Sequence, residues 1–233
     1  MIVIGHRGAA LLKPENTLAG WRYAIELGVD CVEGDVRLTR DGHPVILHDA
    51  TLDRTTNGTG AVSEHTLAEV RRLDAGEGER VPTLDEYLDL VAESGAQALV
   101  EMKVYEAIEH AVAGIRRRGL LGRAILTGRL EWMRETKARH PELAVGVPGR
   151  SFTLAELDEI ARFGAQGVGI HTSALNREIV AACHERGLVV RGWNPTTRPE
   201  IERTMACGVD GVTTDRPDIA LDLLGRLRRP AGG

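Results

Sequence analysis

The sequence predicts a (β/α)8 barrel, the TIM-barrel fold, and three observations predict it. Short apolar runs alternate with amphipathic stretches along most of the 233 residues. Eight such alternations are typical of a parallel sheet whose strands are joined by helices. The length suits one large hydrophobic core. We therefore expect a single barrel domain over residues 1–225 and a disordered tail over 226–233.

Each predicted strand is a short apolar run, and each predicted helix is an amphipathic stretch. Two helices also carry start signals, because Thr83 precedes one and Thr153 stands three residues before Glu156, the spacing of a capping box. The predicted barrel strands are 2–5, 31–36, 98–102, 124–127, 144–147, 167–170, 188–192 and 211–213. The predicted helices are 17–27, 83–93, 105–118, 129–139, 153–163, 175–186 and 198–207.

One apolar run, 44–47, does not fit the alternation. It follows Asp41-Gly42, a dipeptide that strongly favours a β-hairpin. We therefore expect the second barrel strand to extend into a hairpin that folds about this dipeptide and sets Asp35 opposite His48. Residues 50–80 are then a small insertion at the C-terminal mouth of the barrel, where long loops usually shape a substrate pocket.

Charge and composition exclude several classes of protein. The formal net charge of −5 argues against a general nucleic-acid or anionic-membrane binder, and no apolar stretch approaches the ~20 residues that span a bilayer. The first predicted strand begins at Ile2, so we expect no signal peptide. Cys31, Cys183 and Cys207 lack metal-ligand spacing, so we expect buried, reduced thiols. These features predict a cytoplasmic protein without stable membrane association, either a monomer or a homodimer.

Three acidic residues lie near the ends of predicted strands. In a strand, residues i and i+2 point to the same side, so Glu33 and Asp35 share a face, as do Glu101 and Lys103. A barrel directs one such face of each strand inward, and these columns converge at its C-terminal mouth. Converging carboxylates repel one another unless a cation offsets their charge, and hard oxygen ligands favour Mg2+ or Ca2+. The alternative is a structural network in which the acids pair with arginines.

Two histidines, His6 and His48, are candidates for proton transfer, because imidazole gives or takes a proton near neutral pH. Arg7 is adjacent to the first of them, and its guanidinium fork suits the oxygens of a phosphate. Lys103 can supply a second positive charge. His171 also ends a predicted strand and is a weaker candidate. A lone histidine is more often a satisfied core residue, but here the pattern indicates metal-assisted phosphate chemistry.

In this order, the motifs resemble the glycerophosphodiester phosphodiesterase family over nearly the whole chain. The combination of His-Arg-Gly and Pro-Glu-Asn-Thr at this spacing is a specific signal, which no single tripeptide would be. The matching segments are Gly5-His6-Arg7-Gly8-Ala9, Pro14-Glu15-Asn16-Thr17, Glu33-Gly34-Asp35-Val36, Val45-Ile46-Leu47-His48-Asp49, Arg54-Thr55-Thr56-Asn57-Gly58, Pro82-Thr83-Leu84, Glu101-Met102-Lys103, Gly208-Val209-Asp210-Gly211 and Thr214-Asp215-Arg216-Pro217.

The resemblance implies a barrel enzyme that cleaves glycerophosphodiesters to sn-glycerol 3-phosphate and an alcohol, usually with Mg2+ or Ca2+. By similarity, His6 and His48 would be the catalytic pair, with the arginine of His-Arg-Gly on the phosphate. Glu33, Asp35 and Glu101 would hold the metal. Either water or the neighbouring glycerol hydroxyl can be the nucleophile, and the sequence leaves open which histidine is the acid.

Two positions depart from the family pattern. The family usually has Trp-Thr-Val-Asn at the end of the last strand but one, whereas this chain has Trp193-Asn194-Pro195-Thr196. Trp193 therefore keeps an aromatic wall of the substrate pocket, while the polar residue near the pocket changes. Gly34 replaces a bulky apolar residue between the two acids, and a glycine there is expected to loosen the strand.

The Pro-Glu-Asn-Thr segment has roles of its own. Glu15 is expected to hydrogen-bond to His6 or Arg7 and orient that side chain. Asn16 and Thr17 are expected to cap the first helix.

Two other functions stay open. A lysophospholipase D would use the same chemistry on single-chain lipids, but it would need an apolar groove, and only 3% of the residues are aromatic. A non-catalytic phosphoester-binding barrel would have no need for two histidines that transfer protons. Hydrolysis of small, deacylated phospholipid headgroup esters is therefore the favoured interpretation.

Overall fold

Eight parallel strands close into a barrel because the first strand pairs along both edges. The computed structural model describes residues 1–228. In it, β1 (Ile2–Gly5) lies between β2 (Cys31–Leu38) and β9 (Gly211–Thr214). This closure confirms the predicted TIM barrel. The other strands are β3 (Pro44–Ile46), which is the second arm of the hairpin, and the barrel strands β4 (Gln97–Met102), β5 (Ala124–Thr127), β6 (Ala144–Gly149), β7 (Gly167–His171) and β8 (Val189–Trp193).

Helices cover the outside of the barrel, and each of the predicted helices is present close to its predicted bounds. Two observed helices were not predicted. One is the 4-residue helix Leu67–Val70 in the insertion, and the other is the last helix, which has only 7 residues and starts at a proline. The helices are α1 (Leu18–Leu27), α2 (Leu67–Val70), α3 (Leu84–Ser94), α4 (Ile108–Arg117), α5 (Leu130–Arg139), α6 (Leu154–Arg162), α7 (Arg177–His184), α8 (Arg198–Ala206) and α9 (Pro217–Leu223), with 3-10 turns at Val62–Glu64 and Tyr105–Ala107. Both predicted cap residues, Thr83 and Thr153, form capping boxes.

Two large aromatic side chains pack against the outer face of β2. The rings of Trp21 and Tyr87 are 4.5 Å apart between centroids. A Cβ at Gly34 would lie 3.2 Å from Trp21 Cζ2 and 3.4 Å from Tyr87 Cζ. Trp21 Nε1 donates to Glu33 O at 2.9 Å, and Tyr87 Oη donates to Val32 O at 2.7 Å. The glycine lets these two aromatic residues pack closely against the strand, and the expectation that it loosens the strand stays a prediction.

The inside of the barrel is only partly filled with apolar side chains. Ile4, Cys31 and Leu99 form a small buried cluster. Three glycines line the cavities inside the barrel, and neighbouring atoms already fill the positions that their side chains would take. These glycines are Gly167, Gly169 and Gly211.

The hairpin between β2 and β3 has a register one residue away from the predicted one. Thr39 N donates to His43 O at 3.0 Å, so the loop contains three residues, and Gly42 takes the left-handed conformation (φ 78°) at its end. As a result, Leu47 N donates to Asp35 O at 2.8 Å, and the predicted pairing of Asp35 with His48 is wrong. A two-residue loop was expected from Asp-Gly, and the extra loop residue shifts every pair by one.

The insertion over residues 50–80 has a small hydrophobic core of its own. This core is shared with β3, so the insertion packs on the hairpin that precedes it. Its buried members are Val45, Leu47, Leu52, Val62, Val70, Ala75 and Val81. The insertion is thereby held in a fixed position beside the residues that follow β3.

Two residues of the predicted tail contact the body of the protein. Arg226 Nη2 donates to Asp30 Oδ1 at 2.6 Å, and the Arg228 amide donates to Leu27 O at 3.0 Å. These contacts differ from the disorder that we expected for this part of the chain. The rest of the predicted tail, residues 229–233, lies outside the described residues.

All three cysteines are free thiols in the described part of the chain. Cys31 and Cys183 are buried as expected, whereas Cys207 is only partly buried. Within residues 1–228, none of the helices combines the length and apolar character of a transmembrane span.

The chain turns sharply after β1, and this turn directs His6 and Arg7 to the barrel mouth. Arg7 (φ 50°) and Gly8 (φ 93°) both have left-handed backbone conformations. The Gly8 amide donates to Gly5 O at 3.2 Å. A Cβ at Gly8 would lie only 2.6 Å from the carbonyl carbon of Gly20 in α1, so only glycine fits where the turn meets the helix.

We expect Gly8→Ala to lower the free energy of unfolding by clearly more than ~1 kcal/mol, the scale of cost for a side chain in left-handed backbone. The added methyl group also collides with α1. Gly42→Ala is the matched control, because Gly42 has a similar φ of 78° but no atom within 4 Å of a Cβ. Urea denaturation of both variants measures the difference, and equal losses would contradict the close packing of this turn.

Candidate active site

A cavity of about 400 Å3 lies at the C-terminal mouth of the barrel. It brings together every side chain that the sequence analysis selected except Glu15, which contacts Arg7. Each barrel strand, or the residue just after it, contributes to the wall. The lining residues are His6, Arg7, Glu33, Asp35, His48, Leu99, Glu101, Lys103, Thr127, Pro148, Gly169, His171, Arg191, Trp193, Asn194 and Thr213.

Three carboxylates converge on one side of this cavity. Glu33 and Asp35 point inward from β2, and the parallel register places Asp35 beside Glu101 of β4. Oxygens from the three side chains lie within 4.8 Å of one another, so one cation can contact all of them. Glu33 and Asp35 are only 2% and 1% exposed, so bulk water does little to screen their charges.

Glu33 is the carboxylate with the least compensation from the protein. Its Oε2 accepts a hydrogen bond from the Arg7 amide at 2.8 Å, but its Oε1 is buried and has no hydrogen-bond partner in the described chain. Burial, and then the charge of Asp35, raises the pKa of Glu33 above its ordinary value. A divalent cation would offset both effects, so the carboxylate cluster fits a metal ion.

Asp35, in contrast, is surrounded by donors. Lys103 Nζ lies 3.0 Å from Oδ1, Arg7 Nε lies 3.4 Å from Oδ2, and Asn16 Nδ2 donates to Oδ2 at 2.8 Å. Burial alone would raise the pKa of Asp35, but the charges of Lys103 and Arg7 outweigh it and lower this pKa. The expected capping role of Asn16 is wrong. Only Thr17 caps α1, while the left-handed Asn16 (φ 55°) turns its amide to Asp35.

Lys103 lies between two acids. Its Nζ contacts both Asp35 of β2 and Glu101 of β4, the strand that Lys103 follows. Burial opposes the charge of Lys103, but these two carboxylates together raise its pKa. The lysine therefore stays protonated, and its ammonium group lines the cavity beside the carboxylate cluster.

Glu15 fixes the position of the Arg7 guanidinium. Arg7 Nη1 donates to Glu15 Oε1 at 2.9 Å, while Arg7 Nη2 makes no hydrogen bond within residues 1–228. Glu15 also accepts from Arg54 of the insertion, with Nη1 to Oε2 at 2.6 Å, and Arg54 Nε donates to Asp49 Oδ2 at 2.6 Å. This network leaves one edge of the Arg7 guanidinium available to a ligand.

A carboxylate orients the His6 imidazole. His6 Nδ1 lies 2.6 Å from Asp215 Oδ1, so Nε2 is the ring nitrogen left for a substrate. Asn194 Nδ2 donates to Asp215 Oδ2 at 2.7 Å and holds that carboxylate in place. Burial opposes protonation of His6, but the hydrogen bond to Asp215 and the charge of Glu33 outweigh it and raise the pKa of His6.

His48 has the same type of partner in a different environment. Its Nδ1 lies 2.7 Å from Asp49 Oδ1, and its carbonyl oxygen accepts from Arg37 Nη2 at 2.6 Å. The side chain is 35% exposed, against 16% for His6, so it is nearer to solvent. Burial lowers the pKa of His48, and the opposing charges of Asp35 and Asp49 do not fully compensate.

Trp193 and His171 form the wall opposite the carboxylates. Their rings meet edge to face with 4.8 Å between centroids. His171 Nδ1 lies 2.7 Å from Ser173 Oγ. Trp193 Nε1 is buried and has no hydrogen-bond partner in the described chain.

The sequence analysis gave no role to Asp215 or Asn194. A signal for Asp215 was present, because the first and last strands of a closed barrel must pair. The register of Gly5 with Thr214 then makes Asp215 the neighbour of His6. The sequence marked Asn194 only as a residue that departs from the family pattern. Its contact with Asp215 could not be predicted, because it depends on the path of the chain after β8.

Comparisons with known proteins agree with this geometry. The model of the glycerophosphoryl diester phosphodiesterase family matches residues 6–219. A glycerophosphodiester phosphodiesterase from Caldanaerobacter subterraneus subsp. tengcongensis is 34% identical over 236 residues, which cover 96% of this chain and 97% of the relative. A glycerophosphodiester phosphodiesterase from Bacillus subtilis is 31% identical over 250 residues, which cover 94% of this chain and 85% of the relative.

Solved structures of phosphodiesterases are also similar to this chain. A phosphodiesterase from Oleispira antarctica, in complex with the product sn-glycerol-3-phosphate, has a TM-score of 0.90 and 29% identity, with 97% of both chains covered. A glycerophosphoryl diester phosphodiesterase structure from Silicibacter pomeroyi has a TM-score of 0.87 and 28% identity, with 96% of this chain and 94% of the other covered.

The fold and the cavity define a TIM-barrel hydrolase with an acidic cluster and two histidines at its mouth. The chain belongs to the glycerophosphoryl diester phosphodiesterase family. It is therefore an enzyme, a phosphoric diester hydrolase.

Asp215→Asn should lower kcat/KM for diester hydrolysis by at least about tenfold, because the variant keeps the shape of Asp215 but removes the carboxylate that orients His6. Asp215 also raises the pKa of His6, so the limb of the pH–rate profile that reports His6 should move to lower pH. Steady-state kinetics across pH measures both effects.

Asp210→Asn is the matched control, because Asp210 also contacts a histidine, with Oδ2 at 2.9 Å from His184 Nε2 and accepting from the Val190 amide at 2.7 Å, but it lies outside the mouth cavity. We expect that variant to keep the wild-type rate and pH profile. Equal losses in the two variants would show that Asp215 acts only on stability.

Proposed function

We propose that the protein hydrolyses glycerophosphodiesters to sn-glycerol 3-phosphate and an alcohol, with a divalent cation, Mg2+ or Ca2+, in the carboxylate cluster. The observation that carries this proposal is the pairing of two histidines with carboxylates at one cavity. His6 and His48 each have Nδ1 against an aspartate, and both line the wall that holds the acids. The product bound to the Oleispira antarctica relative supports the same product here.

The residues present fit a divalent cation. Glu33, Asp35 and Glu101 offer oxygens within 4.8 Å of one another, and Glu33 Oε1 has no partner in the described chain. All of these ligands are hard oxygens, which suits Mg2+ or Ca2+ better than a softer metal. When bound, the cation would neutralise a phosphate oxygen and stabilise the charge that develops in the transition state.

The side chains of the protein supply the remaining chemistry. Arg7 Nη2 donates to a phosphate oxygen, while Glu15 keeps the guanidinium in position. Lys103 adds positive charge beside the phosphate. One imidazole takes the proton of the attacking oxygen, and the other gives a proton to the leaving alkoxide. Because Asp215 and Asp49 fix the two rings through Nδ1, both transfers use Nε2.

Small, deacylated diesters fit the cavity better than lipids do. Its volume of about 400 Å3 is at the small end of the range for ligand pockets, roughly 300–1,000 Å3. Its apolar side chains are Leu99, Pro148 and Trp193, beside a wall that is mostly polar or charged. A lysophospholipase D would need a longer apolar surface for its acyl chain. We propose that substrates reach the site from solution and that Trp193 packs against them.

Replacing either imidazole should stop most of the reaction. We expect His6→Ala and His48→Ala each to lower kcat for glycerophosphodiesters by at least about 100-fold, because each removes one proton transfer. A coupled assay for sn-glycerol 3-phosphate measures the loss, and thermal unfolding should show that both variants stay folded.

His43→Ala is the matched control for these variants, since His43 is exposed on the hairpin turn and lies outside the cavity lining. It should keep wild-type activity. Wild-type turnover in His6→Ala or in His48→Ala would remove that residue from the mechanism.

Removal of the cation should abolish turnover reversibly. We expect no activity after EDTA treatment and full recovery on addition of Mg2+ or Ca2+. In calorimetric titrations, Glu33→Gln should bind these ions at least about tenfold more weakly than the wild type, since lesser changes around metal sites already cost that much. Its melting temperature without metal should not fall, because burial already raises the pKa of Glu33 and favours the neutral acid, which glutamine resembles.

Glu93→Gln, on the exposed side of α3, is the control and should bind the ions as the wild type does. Full activity of the EDTA-treated wild type would refute the requirement for a cation. Unchanged affinity in Glu33→Gln would place the metal elsewhere.

A further inference from the structure

Arg191 is a buried cation in the middle of the barrel that the proposed reaction does not use. It lies on β8, two residues before Trp193, and is only 8% exposed. Its side chain lines the mouth cavity and also a smaller cavity of about 130 Å3 toward the other end of the barrel. The arginine therefore forms part of the floor of the proposed active site.

Arg191 differs from the other two cations of the mouth cavity in having no carboxylate partner. Arg7 pairs with Glu15, and Lys103 pairs with Asp35. Within residues 1–228, by contrast, the guanidinium of Arg191 takes part in no hydrogen bond and no ion pair. A guanidinium stays protonated even when buried, and a buried charge without a partner is costly. Such a group is expected to have a ligand.

The surrounding residues leave room for a ligand and offer it donors. A Cβ at Gly146 would lie 2.8 Å from Arg191 Nη2 and 3.3 Å from Thr127 Cγ2, so the absence of a side chain at Gly146 makes space for the guanidinium. Thr127 Oγ1 and Trp193 Nε1 are both buried without a hydrogen-bond partner in the described chain. Three groups that can donate hydrogen bonds therefore line the same cavity, which favours a ligand rich in acceptor oxygens.

The three carboxylates of the cavity wall already have other partners. Asp35 and Glu101 contact Lys103, and Glu33 accepts from the Arg7 amide. The guanidinium of Arg191 therefore suits an anionic group that a ligand supplies.

We propose that Arg191, together with Thr127 and Trp193, binds a second anionic group of the substrate. The preferred glycerophosphodiesters then carry a carboxylate or a second phosphate on the alcohol, since both match the guanidinium fork. This inference rests on the proposed function and names its substrate class.

The test compares matched pairs of substrates. Glycerophosphoserine differs from glycerophosphoethanolamine by one carboxylate, and bis(glycerophospho)glycerol differs from glycerophosphoglycerol by a second phosphodiester. We expect the wild type to have a kcat/KM at least about tenfold higher for the acid-bearing member of one pair or both, the scale of a hydrogen bond to a charged group. The pair that shows the preference identifies the anion as carboxylate or phosphate.

Arg191→Met tests the residue. We expect this substitution to reduce the preference to a ratio of about one, because the anion loses its partner, without lowering the melting temperature, since an apolar side chain of similar length replaces an unpaired buried charge. A purely structural role for Arg191 would instead lower the melting temperature and leave the ratio unchanged. Arg22→Gln, an exposed arginine of α1, is the control for net charge and should keep the wild-type ratio.

Equal hydrolysis of both members of both pairs by the wild type would overturn the anion subsite while leaving the proposed function intact. An equal loss for all four esters in Arg191→Met would also overturn it, because the guanidinium would then contact the scissile phosphate. If the wild type hydrolyses none of the esters with either cation, the proposed function fails. The rise in melting temperature that each ester causes on binding then tests the subsite alone. The acid-bearing esters should raise it more than their partners in the wild type, but not in Arg191→Met.

Discussion

The pairing of β1 with both β2 and β9 is the constraint on which the functional site depends. Through it, His6 N donates to Thr214 O at 3.0 Å, and the next residue, Arg7, donates its amide to Glu33 Oε2 at 2.8 Å. The same closure places Asp215 beside His6. The first residues after β1 therefore connect the acidic side of the cavity to the last strand, and residues from both ends of the chain meet at one mouth.

The site concentrates charged groups in a small cavity, and the neighbours of each group determine how far its charge is compensated. Asp35 has two cations and an amide around it and stays ionised, whereas Glu33, two residues earlier on the same strand, has no cationic side chain paired with it among residues 1–228. This contrast makes Glu33 the acid that gains most from a metal. The histidines show a similar contrast, because each has an aspartate on Nδ1 but His6 is less exposed to solvent than His48.

Local patterns in the sequence were sufficient to predict most of the fold. The apolar runs and the capping boxes at Thr83 and Thr153 depend on a few neighbouring residues, and they gave the elements close to their observed bounds. The rule that residues i and i+2 share a face was sufficient to predict which side chains of β2 and β4 point inward. The closure of the barrel then brings these side chains together.

Features that depend on the exact path of the chain could not be predicted from local sequence patterns. The hairpin register followed from one extra loop residue, and Asn16 contacts Asp35 because its backbone is left-handed. Arg191 stands in an apolar strand, and only the assembled barrel shows that Gly146 makes room for it. The contact of Asn194 with Asp215 likewise needs the fold, because the two residues are 21 positions apart.

A crystal structure of the protein with Mn2+ and sn-glycerol 3-phosphate would show where the metal binds, because the anomalous signal of manganese locates the metal without assumptions about its ligands. We expect one peak at bonding distance from oxygens of Glu33, Asp35 and Glu101, with the phosphate between Nε2 of His6 and Nε2 of His48. A metal bound away from these acids, or either imidazole turned away from the phosphate, would contradict this prediction.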